Sequence, residues 1–308
     1  MKILLATDGS DHARIAEVLL TRIPPYRNAE ITVATCVAPP ALIVGAMQPS
    51  GALAFAEEAI EVWEELRKTA RATSDAVADR LKSAGLNATA VVLEGDAAAE
   101  LVEQANENGY DLIAVGSRGH GAIQSWLLGS VARHLVNHSK VSVLVARPDR
   151  KGTPADTWAR LQTKERLDIA VAVDGSQGGD GAVQTVVNMG FGNFQKVSVI
   201  CAEPLSILPL GIEPDAFGGT YRYDHDRAKG IAHMAATKLA AYGDTVTEHV
   251  ELGRPAHVID ELTEASGADL LIMGATRHGT LERWLLGSVS YEAVNGAPCS
   301  VLVVRPSA

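Results

Sequence analysis

The sequence predicts an α/β protein made of two tandem copies of one parallel-sheet domain, and three observations predict it. The first is length: 308 residues is about twice an ordinary domain, so each half can bury its own core. The second is self-similarity. Lys2-Ile3-Leu4-Leu5-Ala6-Thr7-Asp8-Gly9-Ser10 returns as Asp168-Ile169-Ala170-Val171-Ala172-Val173-Asp174-Gly175-Ser176, 166 residues on. Further along the spacing becomes 158: Asp111 to Gly116 answers Asp269 to Gly274, Trp126-Leu127-Leu128-Gly129-Ser130-Val131 answers Trp284-Leu285-Leu286-Gly287-Ser288-Val289, and Ser142 to Pro148 answers Ser300 to Pro306. The eight-residue difference must lie in the first half of the repeat. The third observation is that short apolar runs alternate with stretches of helical period in each copy.

Taken in order, residues 2–7 form a continuous apolar run ending in Asp-Gly-Ser, as a strand buried on both faces of a parallel sheet does. Asp11 to Arg22 reads as a helix that Pro24-Pro25 ends. Ile31 to Val37 is the second strand. Phe55 to Ala84 is a long helix, with Val62, Leu66, Thr73, Val77 and Leu81 expected on its core face before Gly85 stops it. A strand (88–93), a helix (97–108), a strand (112–115), a helix opening near Gly129 and a strand (142–146) complete the copy. Five parallel strands with four helices follow, joined by right-handed crossovers. The expected domains are 1–148 and 167–308, with the polar seam 149–166 as a linker holding about one helical turn.

Composition narrows the function. A hydrophobic fraction of 47% against 21% charged residues excludes disordered and disulfide-scaffold classes. A net charge of −10 argues against nucleic acid as a partner, because phosphate contacts need a basic face. Cys36, Cys201 and Cys299 form no C-x-x-C pair, which fits the reducing cytoplasm, and they read as small core residues. The matching places of Cys36 and Cys201 in the second strands are part of that reading. The opening apolar run is too short for a signal peptide, and no stretch approaches the ~20 apolar residues of a membrane span.

In an open parallel sheet, ligands bind beyond the carboxyl ends of the strands. After the fourth strand stands Gly116-Ser117-Arg118-Gly119-His120-Gly121, and ten residues after Gly119 come Gly129-Ser130, opening a helix with a hydroxyl expected at its N-cap. Glycines let backbone approach a phosphate chain, and the N–H groups and dipole of a helix start favour an anion. Three glycines, a hydroxyl and a basic side chain together point to phosphate binding.

Gly-x2-Gly-x9-Gly-[Ser/Thr] after the fourth strand, an Asp closing the first strand, and a last strand running into Arg-Pro resemble the universal stress protein family, here as a tandem pair. The resemblance implies strand order 3-2-1-4-5 and ATP, with or without Mg2+, as the ligand. It implies that Asp8 lies at the nucleoside end, Val37 packs on adenine, Val115 and Gly116 line base and ribose, and Arg118, Gly119, Gly129, Ser130 and Val131 surround the phosphates. Read from the residues alone, Asp8 serves equally as a turn residue capping the next helix, and Val37 as core. The second copy retains Asp174, Gly274, Gly287 and Ser288 but has Arg277 in place of the motif's second glycine. If that glycine serves positive φ or close approach, the second copy binds more weakly.

Other candidates carry less. His134 and His138 are four apart on a helix but lack the glutamate of H-E-x-x-H. The cluster Glu57 to Glu65 reads as a solvated face, and His120 as a solvated loop residue. The apolar loops 38–51 and 203–219, rich in Pro and Gly, suit lids or partner contacts. The leading reading is an ATP-binding stress-response or signalling protein with little or no turnover, since no base for an attacking water is fixed. Its rivals are a slow ATPase or nucleotide hydrolase and a non-nucleotide dimeric scaffold.

With the implied strand order, each copy's fifth strand is a sheet edge. Val141 to Val145 and Ser300 to Val304 are apolar, β-branched and free of gatekeeper charges. The two copies are therefore expected to pair through these strands within one chain, with further homodimerisation compatible. Val303→Pro, which removes a ladder donor, is expected to separate the copies or aggregate the protein. Sedimentation and limited proteolysis check this; a variant as monodisperse and protease-resistant as the parent contradicts it.

Overall fold

A computed structural model describes residues 1–23, 28–39, 52–119, 128–188, 194–204, 218–275 and 287–305, with main chain only at 52–58 and 218–224. The chain divides into two compact units, Met1–Arg147 and Pro148–Ala308. The first contains β1 (Lys2–Ala6), α1 (Asp11–Arg22), β2 (Glu30–Val37), α2 (Ala52–Ser83), β3 (Asn87–Glu94), α3 (Ala97–Glu107), β4 (Leu112–Gly116), α4 (Ser130–His138) and β5 (Ser142–Ala146). The second begins with α5 (Pro154–Thr163) and continues β6 (Asp168–Val173), α6 (Gln177–Asn188), β7 (Phe194–Pro204), α7 (Gly218–Leu239), β8 (Gly243–Gly253), α8 (Pro255–Ser266), β9 (Leu270–Gly274), α9 (Ser288–Gly296) and β10 (Ser300–Val304).

Within the first unit the strand order is β3-β2-β1-β4-β5, and within the second β8-β7-β6-β9-β10. Every pairing inside each unit is parallel. Strands β4 and β5 are buried at every residue and β1 at all but Lys2, which explains why their sequences are continuous apolar runs instead of alternating ones. Helix α1 turns Ile15, Ala16, Leu19 and Leu20 onto this sheet, all 0% exposed. Its Glu17 is also buried. That carboxylate accepts from Nε and Nη2 of Arg80 on α2 at 3.0 and 2.9 Å and pairs with Arg14, so its burial is compensated.

The registers locate the length change. Lys2 pairs with Glu30 and Asp168 with Lys196, so the 166-residue spacing still holds at the second strands. Glu30 pairs with Asn87 whereas Lys196 pairs with Thr245, so by the third strands the spacing is 158. The eight residues are therefore lost between the second and third strands, where α2 has 32 residues and α7 has 22.

Four expectations need correction. The N-terminal half of α2 does not face the core: Val62 and Leu66 are 53% and 46% exposed, and the buried face is Ala70, Ser74, Val77, Ala78 and Leu81. The periodicity was real, but the sheet is shorter than the helix and covers only its C-terminal part. The seam is more than one turn, because a capping box of Thr153 and Asp156 with Pro154 at the helix start stabilises the ten residues of α5. Cys36 and Cys201 are not equivalent. Cys201 pairs with Val173 opposite the place held by Thr35 in the first copy, one residue out of step, and side chains one step apart face opposite sides of a sheet. Finally, Ser130 is not an N-cap; Gly129 is.

Helix α5 is tied to its unit through Asp269, which is 2% exposed. Arg160 Nη1 donates to its Oδ1 at 2.5 Å; Lys164 Nζ and the Asp168 N–H donate to its Oδ2 at 2.6 and 2.7 Å. The equivalent Asp111 accepts from the Lys2 N–H at 2.7 Å, so both copies use a carboxylate before the fourth strand to fix the start of the first. Asp269→Ala removes the shared acceptor and leaves the Asp168 N–H without its partner, while Arg160 keeps Asp149 and Lys164 keeps Asp168. It is expected to cost about 1–3 kcal/mol, the range for a buried hydrogen-bonding group left unsatisfied. A melting temperature lower by roughly 5 °C is the expected result in calorimetry, and an unchanged melt contradicts the role.

Candidate nucleotide crevice

The crevice is built where the helix that follows the first strand of each unit, α1 or α6, passes the end of that unit's fourth strand. Gly116 closes β4, and a Cβ there would lie 2.8 Å from the Ala13 nitrogen and the His12 carbonyl carbon. In the second unit a Cβ on Gly274 would overlap the main chain of Gly178 at the matching point of α6. Glycine is needed at both positions for space, so that helix and strand end can touch. The chain then turns: the Ser117 N–H donates to the Ala146 carbonyl at 2.6 Å, and the Ala275 N–H to that of Val304 at 2.8 Å.

Asp8 follows β1 and is exposed, its neighbour Gly9 at φ 80°. The Ser10 N–H donates to Asp8 Oδ1 at 3.0 Å, and Ser10 Oγ caps α1 by accepting from the Ala13 N–H at 3.3 Å. The turn role expected of Asp8 is thus present, and Ser10 takes the cap. The other carboxylate oxygen, Oδ2, lies so near Gly119 that a Cβ there would overlap it. Asp8 and the glycine loop therefore meet in one crevice. Gly119 is not among the glycines with positive φ, so what it supplies is room beside the Asp8 carboxylate and not a left-handed backbone. Arg277, its counterpart in the second unit, lies outside the described residues, as does His120.

At the other side of the crevice Gly129 donates its N–H to the Ser117 carbonyl at 2.8 Å and serves as N-cap of α4, with no side chain capping the helix. Gly287 holds the same N-cap position at α9. A glycine cap brings no side-chain acceptor of its own to the first-turn N–H groups, Ser130 and Val131 among them, at the positive end of the helix dipole. Val37 and Val115 are both 6% exposed, at the ends of β2 and β4. His12, which the sequence reading did not single out, stands in the first turn of α1; burial and nearby Arg118 hold it below the usual histidine range, against the opposing pull of Asp8 and Asp11. Burial likewise lowers the Arg118 guanidinium.

In the second unit the same region is a cavity of about 500 Å³, a size that takes a small organic ligand. Asp174, Gly274, Gly287 and Ser288 all line it. Asp174 repeats the turn, accepting from the Ser176 N–H at 2.9 Å. The cavity also contains residues that periodicity and motif spacing did not reveal: Glu203, at the end of β7, and Arg227 on α7. Glu203 was assigned to a loop, and the 166-residue spacing that places it opposite Val37 is the signal that would have found it.

The weaker candidates resolve plainly. His134 and His138 stack at 4.1 Å, His138 Nδ1 sits 2.9 Å from the His134 carbonyl oxygen, and no metal-binding group of His, Cys, Asp and Glu occurs among the described residues. Burial pushes the thiols of Cys36 and Cys201 up to about 12 and about 11, which keeps both protonated and unreactive. Glu61, Glu64 and Glu65 are exposed. Among the described residues no helix is long and apolar enough to cross a membrane. The loops 40–51 and 205–217 lie outside the described residues.

Comparison with known proteins agrees with this architecture. The model of the Universal stress protein family matches residues 1–147 and 166–305. A universal stress protein of Mycolicibacterium smegmatis is 26% identical over 308 residues, covering 99% of this chain and 97% of its own. A putative universal stress protein of Staphylococcus aureus is 29% identical over 147 residues, covering 45% of this chain and 83% of its own. The crystal structure of a universal stress protein from Archaeoglobus fulgidus superposes with a TM-score of 0.60 at 22% identity, over 99% of this chain and 98% of that one.

Gly274→Ala is expected to destabilise the second unit by about 1–3 kcal/mol, since a methyl group there can be housed only by moving the backbone of α6. Gly267→Ala, at φ 68° with open space around it, costs only backbone strain, on the order of 1 kcal/mol. Denaturant titration compares them; a Gly274→Ala protein as stable as the parent contradicts the close-packing role.

Proposed function

Because this chain belongs to the universal stress protein family, we propose that it is an ATP-binding protein of stress response or signalling, acting through nucleotide occupancy with little or no turnover. The observation that carries this reading is the conjunction in the first unit of a glycine-capped helix start at Gly129-Ser130 with the close approach of Asp8 to Gly119 across the crevice. A triphosphate laid against α4 would take hydrogen bonds from the main-chain N–H groups of Ser130 and Val131 and charge from Arg118. Asp8, acceptor-only when ionised, would repel phosphate and accept a sugar hydroxyl. Val37 and Val115 offer the apolar end for adenine. Asp174, Gly287 and Ser288 repeat the frame in the second unit, and in the sequence Arg277 takes the place of the motif's second glycine.

Occupancy without rapid chemistry follows from the acid–base inventory. Asp8 is held in the turn by the Ser10 N–H and is committed to the nucleoside end, so it is badly placed to activate water at a terminal phosphate. His12, kept neutral by burial, stands near Asp8 and Arg118 and is the residue to examine if slow hydrolysis is found.

Incubation of the full chain with radiolabelled ATP, reading bound nucleotide and released phosphate together, tests the proposal. Stoichiometric binding with turnover well below roughly 1 s⁻¹ is expected. Gly129→Val places a branched side chain against the Ser117 carbonyl, 3.2 Å from its Cβ position, and is expected to lower first-unit affinity roughly tenfold or more in a folded protein. Undiminished affinity in that variant, or fast multiple turnover, contradicts the reading.

A further inference from the structure

The two crevices share a frame but differ at one end, and the difference is chemical. Val37 closes β2 of the first unit; counted by the same 166-residue spacing, Glu203 stands at that place in β7. Glu203 is 4% exposed and lines the second-unit cavity. A carboxylate so deeply placed is costly unless its charge is answered. Part of the answer is His225, whose Nδ1–H donates to Oε2 at 3.0 Å; among the described residues Oε1 has no hydrogen-bond partner. An ionised carboxylate has about four acceptor sites, so both oxygens retain capacity for further donors.

The cavity is therefore bipolar. At one side the uncapped start of α9, with Ser288, favours an anion. Two strands away, across β9, β6 and β7 and so roughly 10 Å distant, Glu203 excludes an anion and takes N–H donors. Apolar Ile231, Pro255 and Ile259 line the same cavity and suit a flat ring. A ligand satisfying all of this carries phosphates at one end and, at the other, a heterocycle whose edge presents adjacent donors.

We propose that the second-unit cavity selects a guanine nucleotide, with the two oxygens of Glu203 accepting from N1–H and the N2 amino group of the base. The match is a two-donor fork on a carboxylate, the geometry that makes paired charge-assisted hydrogen bonds strong and specific. Adenine presents its N1 lone pair beside a single amino donor on that edge, so one carboxylate oxygen would face an acceptor and be left unsatisfied. Valine at this position, as in the first unit, makes no such distinction. The proposal rests on the nucleotide-binding reading above and assigns the base specificity of one of its two sites.

The test uses the full chain in a Gly129→Val background, so that the second unit dominates, with GTP and ATP titrated separately by calorimetry. GTP is expected to bind about tenfold to a hundredfold more tightly than ATP, the range a paired base contact supplies. Glu203→Val, and separately Glu203→Gln, are expected to abolish or invert that preference while thermal melting confirms that each variant is folded. Equal affinities, or a preference that both variants retain, overturn the guanine assignment and leave nucleotide binding intact. If the parent chain binds ATP but neither nucleotide binds in the Gly129→Val background, the second unit is not a nucleotide site and the assignment also falls. Absence of binding by the parent itself would instead remove the underlying reading, and a variant that fails to fold is replaced by Glu203→Asp, for which a reduced GTP preference is expected and an undiminished one overturns the assignment.

Discussion

The structure of the candidate site depends on one steric constraint: the helix after the first strand of each unit, α1 or α6, must come close enough to the fourth strand's end for their main chains to touch. Gly116 and Gly274 allow it, and no residue with a side chain fits at either place without moving backbone. That approach brings the Asp-Gly-Ser turn after the first strand next to the turn after the fourth. It sets Asp8 against Gly119, and it brings Asp174 into the cavity wall with Gly274. A crevice between adjacent strand ends is general to open parallel sheets; what this sequence adds is the removal of side chains where ligand or backbone must approach. The glycine helix caps extend the same logic, bringing no side-chain acceptor of their own to the N–H groups at the start of α4 and α9.

Duplication preserved this frame and released the rest. The first and fourth strands and the helix after the fourth correspond position by position, because each change there would disturb the packing that forms the crevice. Between the second and third strands the copies differ by eight residues and by ten residues of helix, in a region that covers the outer strands and, through α7, contributes one wall of the second-unit cavity. Glu203 in place of Val37 belongs to that freer region. The end of the crevice at the second strand can thus change its chemistry while the glycine-capped helix start keeps its form.

The parts of the fold that were legible in the sequence are those fixed by burial on both faces. The runs Lys2 to Ala6, Leu112 to Gly116 and Ser142 to Ala146 are strands because an unbroken apolar run of that length, bounded by turn residues, has few other uses. Helix α5 was underestimated because its stability comes from caps and from Arg160 and Lys164 reaching Asp269, a residue 105 to 109 positions away. The outer half of α2 was misjudged for a related reason: apolar period marks a face but not whether a neighbour reaches it. Of the site, the glycine motif and Asp8 were legible through spacing, whereas the reason for each glycine was not. Gly116 and Gly274 serve packing, and Gly119 serves approach to Asp8; only coordinates separate those roles from positive φ. Glu203 escaped because its chemistry resides in a difference between copies and not in any motif.

The account's central claim is that main-chain groups at the helix start, exposed by a glycine cap and set opposite Asp8, hold the anionic end of a nucleotide. A crystal structure of the full chain with ATP tests it most directly. The account predicts phosphate oxygens within hydrogen-bond distance of the Ser130 and Val131 N–H groups, with the sugar at Asp8 and adenine against Val37. Phosphates held away from the start of α4, or a nucleotide seated anywhere other than between the ends of β1 and β4, would contradict it.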